Sequence, residues 1–218
     1  MLISPAATAA ASGVLYLHGF NSGSASPKAR LVAQGCELLE TGPLPCATPQ
    51  LPHRPAAALA LAESLLATLG PQPLLMGSSM GGFLASCLAE RHDLRAVVIN
   101  PAVRPAGLVE GWLGEAFVNE YTGERFSIEG AHRDELAELT PAWLDPRRYL
   151  VLLGTADETL DPRDGAAAYR GAAMILQPGG DHGFSALADY LPALFAHGGH
   201  RLAPGCMTRH SLEDDSHL

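Results

Sequence analysis

The chain has 218 residues, a formal net charge of -9 and a hydrophobic share of 47%. Its length favours a single domain with a large core. Its acidic balance and the absence of a basic stripe argue against a nucleic-acid partner. No apolar run is long enough to cross a bilayer, and the N-terminus lacks the charged start of a signal peptide. The four cysteines are scattered without a C-x-x-C pair. We therefore expect a reducing, cytoplasmic location and no membrane partner.

Strand-like and helix-like segments alternate along most of the chain. Short apolar runs bounded by glycine or proline are typical of buried parallel strands, and longer runs with helical spacing separate them. This alternation predicts an α/β fold with a mostly parallel central sheet flanked by helices. In chain order the predicted segments are strand 14–17, helix 27–39, strand 46–51, helix 55–69, strand 73–76, helix 82–91, strand 94–100, strand 149–154, helix 162–170, strand 173–176 and helix 184–197.

The region 104–148 breaks this alternation. It holds no strong strand but is rich in aromatic residues, and long connections near a site are usually functional. We expect it to form a small helical cap that supplies an apolar wall for a substrate. The alternative is that its rings only pack the insertion against the body. The full organisation is then a loose lead-in at 1–13, an α/β domain at 14–197 that includes the cap, and a polar, disordered tail at 198–218. The aromatic residues of the cap are Trp112, Phe117, Tyr121, Phe126 and Trp143.

A G-x-S-x-G pattern runs from Gly77 to Gly81 and centres on Ser79. It follows an apolar run and precedes a helical one, which is the context of a nucleophile on a tight strand-to-helix turn. Side chains two positions before and after the serine would collide in such a turn, so both positions favour glycine. The turn lifts the serine hydroxyl clear of the sheet. The pattern therefore predicts a nucleophilic Ser79.

A serine nucleophile needs a base to take its proton and an acid to orient that base. In this type of fold the chain order is serine, acid, histidine, with the acid after a late strand and the histidine after the last. Asp157 directly follows strand 149–154, and we prefer it to Asp161, whose place before a proline suits a helix N-cap. His182 lies in a glycine-rich turn after the last predicted strand. Ser79, His182 and Asp157 form the predicted triad.

Two backbone N–H groups are candidates for holding the oxyanion. Met80 follows Ser79 directly, and Phe20 lies in the loop after the first strand, where such folds place the second donor. We expect His18 to organise this loop rather than to transfer protons. Three further residues are candidates for contact with the substrate: Asn21, Asn100 and Tyr121.

Five segments together resemble the YqiA-type esterases, a small bacterial branch of the α/β-hydrolase superfamily. The likeness covers about residues 14 to 195. It implies a compact α/β-hydrolase without a cofactor that cleaves short acyl esters with Ser79, Asp157 and His182. Ala156 departs from the family pattern, which leads us to expect glycine there. The segments are 16–22, 77–82, 98–105, 119–124 and 179–184.

Other functions remain open at this point. The same triad would serve a thioesterase or an acyltransferase, and a hydrolase fold without an activated serine would act as a binding module. We expect a small acyl ester as the partner, no cofactor and no metal, and we make no prediction of oligomeric state. A metal site in the tail has little support, because the spacing matches no compact ligand pattern. Its residues would be His197, His200, Cys206, His210 and His217.

Overall fold

The computed structural model describes residues 9–205, and a six-stranded sheet lies at its centre. The strands are β1 (Val14–Leu17), β2 (Cys46–Ala47), β3 (Leu74–Ser78), β4 (Ala96–Ile99), β5 (Ala116–Val118), β6 (Arg125–Ser127), β7 (Tyr149–Gly154) and β8 (Ala173–Gln177). The central sheet has the order β2-β1-β3-β4-β7-β8, and every neighbouring pair in it is parallel. Strands β5 and β6 form a separate antiparallel pair. The predicted α/β architecture is confirmed.

Helices cover both faces of this sheet. Side chains alternate along each strand, so that Val14 and Tyr16 of β1 face one layer while Leu15 and Leu17 face the other. All four are at most 1% exposed, which explains why the strand is an unbroken apolar run in the sequence. The helices are α1 (Pro27–Glu37), α2 (Pro55–Leu66), α3 (Met80–His92), α4 (Pro105–Glu110), α5 (Gly130–Leu139), α6 (Pro162–Ala168) and α7 (Leu187–His197). Helices α1 and α7 pack on one face, and α2, α3 and α6 pack on the other. None of these described helices is both long and apolar enough to span a membrane.

The predicted strand at 46–51 is much shorter than expected. Only Cys46–Ala47 pairs with β1. Pro49 has no N–H to donate to a ladder, and the N–H of Leu51 binds the ring of His18 instead of a strand. The rest of this segment is therefore a loop that packs against the loop after β1.

The cap prediction needs a correction, because the insertion is not purely helical. Besides α4 and α5 it contains the β5–β6 pair. The Asn119 side chain builds the turn between these strands, since its Oδ1 accepts hydrogen bonds from the N–H groups of Tyr121 and Thr122. Gly123 completes the turn with a φ of 73°. Each strand has three residues, too few for alternation to show in a sequence.

The expectations for the two ends of the chain also change. Ala11 is buried, its N–H donates to the Gly198 carbonyl, and its own carbonyl accepts from the His200 ring. Leu202 forms a β-bridge with Leu39. The predicted loose lead-in and disordered tail are therefore wrong for residues 11–13 and 198–203, because these two segments pack on each other and on the body. Residues 1–8 and 206–218, including three of the tail metal candidates, lie outside the described residues.

Helices α1 and α7 touch closely at Gly35. A Cβ added to Gly35 would lie 2.4 Å from Cε2 of Phe195, and Phe195 is fully buried, so its ring has no room to move aside. We expect Gly35→Ala to lower the free energy of unfolding by about 1–3 kcal/mol through overpacking. This loss should appear in urea unfolding although alanine is the better helix former.

The matched control is Gly107→Ala in α4, where an added Cβ meets no atom within 4 Å. It should leave the free energy of unfolding unchanged or raise it by up to about 1 kcal/mol. Wild-type stability of Gly35→Ala would contradict the close packing of α1 on α7.

Candidate active site

Ser79 lies on a very tight turn between β3 and α3. Its φ of 56° and ψ of -121° fall in a region that L-residues rarely adopt. A Cβ added to Gly77 would lie 2.2 Å from the carbonyl oxygen of Gly81, and one added to Gly81 would lie 2.0 Å from that of Leu17. Backbone therefore occupies the space of both missing side chains. This contact is the physical reason for both glycines of the sequence pattern.

The structure brings Ser79, His182 and Asp157 together in one row. His182 Nε2 lies 3.2 Å from Ser79 Oγ, and its Nδ1 lies 3.0 and 2.9 Å from the two oxygens of Asp157. With Nδ1–H donating to the carboxylate, Nε2 is left to accept the hydroxyl proton of the serine. The arrangement can therefore take a proton from the serine and hold the resulting charge on the imidazole.

The Asp157 carboxylate is held in place by its own loop. Its Oδ1 accepts hydrogen bonds from the N–H groups of Thr159 and Leu160, each at 2.8 Å, and its side chain is 2% exposed. The rival Asp161 instead caps α6 and pairs with Arg163. The hydrogen bond from the Arg163 guanidinium lowers the pKa of Asp161 to about 2. Of these two carboxylates, Asp157 is the one in contact with His182.

Two side chains from other segments hold the loop that carries His182, and the sequence predicted neither contact. The N–H of His182 donates to Oε2 of Glu158 at 2.9 Å. The buried Asn100 side chain donates to the carbonyl groups of Asp181 and His182. Asp181 is a turn former, since its carboxylate accepts from both the N–H and the hydroxyl of Ser185. Only the turn chemistry of Asp181 could be found in the sequence.

The candidate oxyanion donors lie around Ser79. Met80 begins α3 directly after Ser79. A Cβ added to Gly19 would lie 3.3 Å from Cβ and 3.8 Å from Oγ of Ser79, so the loop that leads to Phe20 rests on the serine. Phe20 and Met80 both line the same cavity. Their role as oxyanion donors stays a prediction.

This cavity of about 50 Å³ lies between the body and the cap. Among the substrate candidates, Asn21 lines it, whereas Asn100 is buried beside the His182 loop and Tyr121 packs against Gly23 outside it. The lining of the cavity is largely apolar and includes His18, His53 and His132. Its apolar wall includes Phe20, Met80, Leu84, Val109, Ile128 and Leu136.

Aromatic rings join the cap to the loop after β1. The Phe20 ring lies 5.3 Å from Trp112, 5.1 Å from Phe117 and 5.9 Å from Phe126, measured between ring centroids. His53, near the start of α2, stacks on Phe126 at 4.5 Å. The two remaining aromatic residues of the predicted cap, at positions 121 and 143, are exposed. Three of the five rings therefore pack the cap onto the body beside the cavity.

Two buried histidines near the cavity are held as neutral rings. His18 Nδ1–H donates to the Gly19 carbonyl while its Nε2 accepts the N–H of Leu51 at 3.0 Å. His132 Nδ1 accepts the N–H of Glu129, so its Nε2–H donates to Nδ1 of His53 at 2.9 Å. Burial lowers the pKa of both His18 and His132. His18 organises the loop after β1. Among the described residues, no group of three or more His, Cys, Asp or Glu side chains is placed to hold a metal ion.

Comparison with known protein families assigns the chain to one of them. Residues 13–198 match a family described as "Uncharacterised protein family (UPF0227)". The chain belongs to this family. The match covers nearly all of the described residues, and it confirms the resemblance to the YqiA-type esterases that the five sequence segments indicated.

Solved structures confirm the α/β-hydrolase fold of this UPF0227 member. It is similar to Est1E from Butyrivibrio proteoclasticus, with 15% identity and a TM-score of 0.61 over 84% of this chain and 85% of that one. It is also similar to a Paleococcus ferrophilus monoacylglycerol lipase, with 18% identity and a TM-score of 0.60 over 84% and 94%. A third similar structure is mouse alpha/beta hydrolase domain-containing protein 10, with 17% identity and a TM-score of 0.59 over 84% and 86%.

The neutral histidines predict a pH-dependent stability. Because burial lowers the pKa of His18 and of His132 in the folded chain, the unfolded chain binds protons first as the pH falls below about 6.5. Stability is then lost at a rate of up to about 1.4 kcal/mol per pH unit for each such group. We expect urea unfolding to give a lower free energy at about pH 5.5 than at about pH 7.5.

The His18→Asn variant should lose part of this pH dependence, because it removes one of the rings whose pKa burial lowers. A free energy of unfolding that stays constant or rises from about pH 7.5 to about pH 5.5 in the wild type would contradict this account.

Proposed function

We propose that this protein is a serine hydrolase that cleaves short-chain carboxylic esters through an acyl-enzyme. The observation that carries the proposal is the contact of one imidazole with both a serine and a carboxylate: His182 lies 3.2 Å from Ser79 Oγ and 2.9 Å from Asp157. Serine is a poor nucleophile unless a base takes its proton. The resemblance to the YqiA-type esterases supports this function, and so do two proteins of similar fold, the Paleococcus lipase and an esterase domain from Rhodothermus marinus.

The first half of the proposed reaction forms the acyl-enzyme. Ser79 Oγ attacks the ester carbonyl carbon while its proton passes to His182 Nε2. Asp157 holds the ring through Nδ1–H and stabilises the imidazolium. The N–H groups of Phe20 and Met80 bind the oxyanion that develops on the carbonyl oxygen. When the tetrahedral intermediate collapses, the C–O bond to the alcohol breaks and His182 returns the proton to the leaving oxygen.

The second half repeats these steps with water. His182 takes a proton from a water molecule, whose oxygen attacks the carbonyl carbon of the Ser79 ester. The same two N–H groups bind the second oxyanion. The bond to Ser79 Oγ then breaks, His182 protonates this oxygen, and the carboxylic acid leaves. The protein ends in its starting protonation state.

The volume of the cavity beside Phe20 and Met80 supports the proposal that the acyl group is short. This volume is about 50 Å³. One water occupies roughly 10–15 Å³ of such space, so the cavity holds roughly three to five water-sized groups. This corresponds to an acyl chain of roughly two to four carbons. Leu136 of α5 and Val109 of α4 close the cavity from the cap side, so we propose that the cap limits the chain length.

The triad is tested by three variants assayed with p-nitrophenyl butyrate. Ser79→Ala should lower kcat at least about 10⁴-fold, because the nucleophile is gone. Asp157→Asn should lower it about 10³–10⁴-fold, because the ring loses the carboxylate that orients it. Asp161→Asn is the matched control and should keep kcat within about twofold. A larger loss for Asp161→Asn than for Asp157→Asn would move the acid to Asp161.

Two further measurements separate the alternatives. A fluorophosphonate probe should label the wild type and not Ser79→Ala; a wild type that stays unlabelled and hydrolyses no ester would make the protein a binding module. Turnover of acyl thioesters, and products formed in the presence of added alcohols, distinguish an esterase from a thioesterase and an acyltransferase. Faster reaction with thioesters, or transfer to alcohol in place of hydrolysis, would overturn the esterase assignment.

The cavity is tested by the chain-length profile. Leu136→Ala should raise kcat/KM for hexanoate relative to butyrate about tenfold, because the shortened side chain gives room for further methylene groups. Leu194→Ala is the control, since Leu194 is equally buried but lies on the other face of the sheet. It should lower stability and leave the ratio unchanged. An unchanged ratio in Leu136→Ala would remove the cavity from the acyl-binding site.

A further inference from the structure

The side chain of Asn100 joins the end of β7, from which the loop of Asp157 begins, to the loop that carries His182. Its Oδ1 accepts a hydrogen bond from the N–H of Gly154 at 2.8 Å. Its Nδ2 donates to the carbonyl oxygens of Asp181 and His182 at 2.9 and 3.0 Å. The residue is 2% exposed, so these bonds form away from water. One amide therefore uses both of its ends: its oxygen binds the last residue of β7, just before the loop of Asp157, and its nitrogen binds the loop of His182.

Strand order explains why a connection is needed at this point. Ser79 follows β3 and His182 follows β8, with β4 and β7 between these strands. Neighbouring strands lie roughly 4.8 Å apart, so the histidine loop reaches back over roughly 14 Å to bring its ring to the serine. Asn100 stands at the end of β4, between the two. Its two hydrogen bonds to the backbone of the histidine loop hold the loop in this position.

The same segment also holds the serine turn. The N–H of Ser79 donates to the Ile99 carbonyl at 3.0 Å, and the N–H of Ala102 donates to the Ser79 carbonyl at 3.1 Å. Asn100 has a φ of 41°, in the left-handed region that asparagine tolerates better than most residues. Residues 99–102 therefore contact the serine turn as well as both loops.

We propose that Asn100 is a positioning residue that sets the distance between Asp157 and His182, and with it the aim of the imidazole at Ser79. This inference rests on the proposed function. It differs from substrate contact, the role for which the sequence made Asn100 a candidate. A carboxylate at this position would face two carbonyl oxygens without a proton to share, and an aliphatic side chain would leave the Gly154 N–H unpaired. The role therefore requires an amide.

The test is Asn100→Gly, because glycine keeps the left-handed backbone while it removes the side chain with its amide. Misplacement of a catalytic group by about 1 Å costs about a hundredfold in rate. We expect kcat for p-nitrophenyl butyrate to fall about a hundredfold while KM stays within about twofold. Asn100→Asp, which keeps the shape and the acceptor, should lose kcat in the same way, and it provides the measurement where the glycine variant does not fold.

The control for lost stability is Tyr169→Phe. Tyr169 makes a buried hydrogen bond with Ser86 inside the helical layer, outside the site. This variant should lower stability and keep kcat within about twofold. A Tyr169→Phe variant that loses kcat like Asn100→Gly would show that destabilisation alone explains the effect, and would overturn the positioning role.

A double-mutant comparison makes the test specific. In Asp157→Asn the imidazole has already lost its orienting partner, so adding Asn100→Gly should lower kcat by less than about fivefold. A full hundredfold loss in that background, or wild-type kcat in Asn100→Gly, would overturn the role of Asn100. Ser79→Ala, measured in parallel, separates the two failures: its full activity would overturn the proposed function, whereas its inactivity beside an unaffected Asn100→Gly overturns only the positioning role.

Discussion

The close approach of backbone around Ser79 is the constraint on which the site depends. The carbonyl of Leu17, at the end of β1, lies where a side chain of Gly81 would be, and Gly81 in turn fills that place at Gly77. Three elements, β1, β3 and α3, are thereby locked at van der Waals distance. The same contact brings the loop after β1 against the serine and directs the N-terminus of α3 toward it, where backbone N–H groups favour negative charge. A larger residue at Gly81 would push the end of β1, and with it the loop that leads to Phe20, away from the serine turn.

Parallel strand order turns distant positions into neighbours. Ser79 and His182 are 103 residues apart in the chain, and His182 and Asp157 are 25 apart, yet each follows a strand of one sheet. Carboxyl ends of parallel strands meet at one edge, so the loops after β3, β4, β7 and β8 lie side by side. Short loops are therefore enough to bring the side chains of the site together. The precision of their geometry depends on hydrogen bonds that hold these loops in place, such as those of Asn100 and Glu158.

Much of the fold and of the candidate site could be predicted from the sequence, and the features that could not be predicted were missed for physical reasons. Ser79 was recognisable because the glycine spacing reports a local backbone collision, and Asp161 could be set aside because a proline follows it as in a helix N-cap. These are short-range signals. Asn100 and Glu158 bind the backbone of His182, which lies 82 and 24 positions away from them. The residues beside them in the sequence give no sign of this contact. The β5–β6 pair was missed for a different reason: a three-residue strand is too short to carry a period.

Phe20 connects the cap to the candidate site through its ring and its backbone. Its backbone belongs to the loop that rests on Ser79, while its ring contacts Trp112, Phe117 and Phe126 of the cap. Such aromatic pairs contribute roughly 0.5–1.5 kcal/mol each beyond the burial of their area. The packing of the cap is therefore also the packing of the loop that carries the second candidate oxyanion donor. Because Phe20 also lines the cavity, a change that loosens the cap would alter the wall of the cavity and the position of the candidate oxyanion donor together. All three of these cap rings pack on Phe20, and Phe126 also lines the cavity, so of the two roles that the sequence left open, packing involves all three rings and the proposed substrate wall involves Phe126.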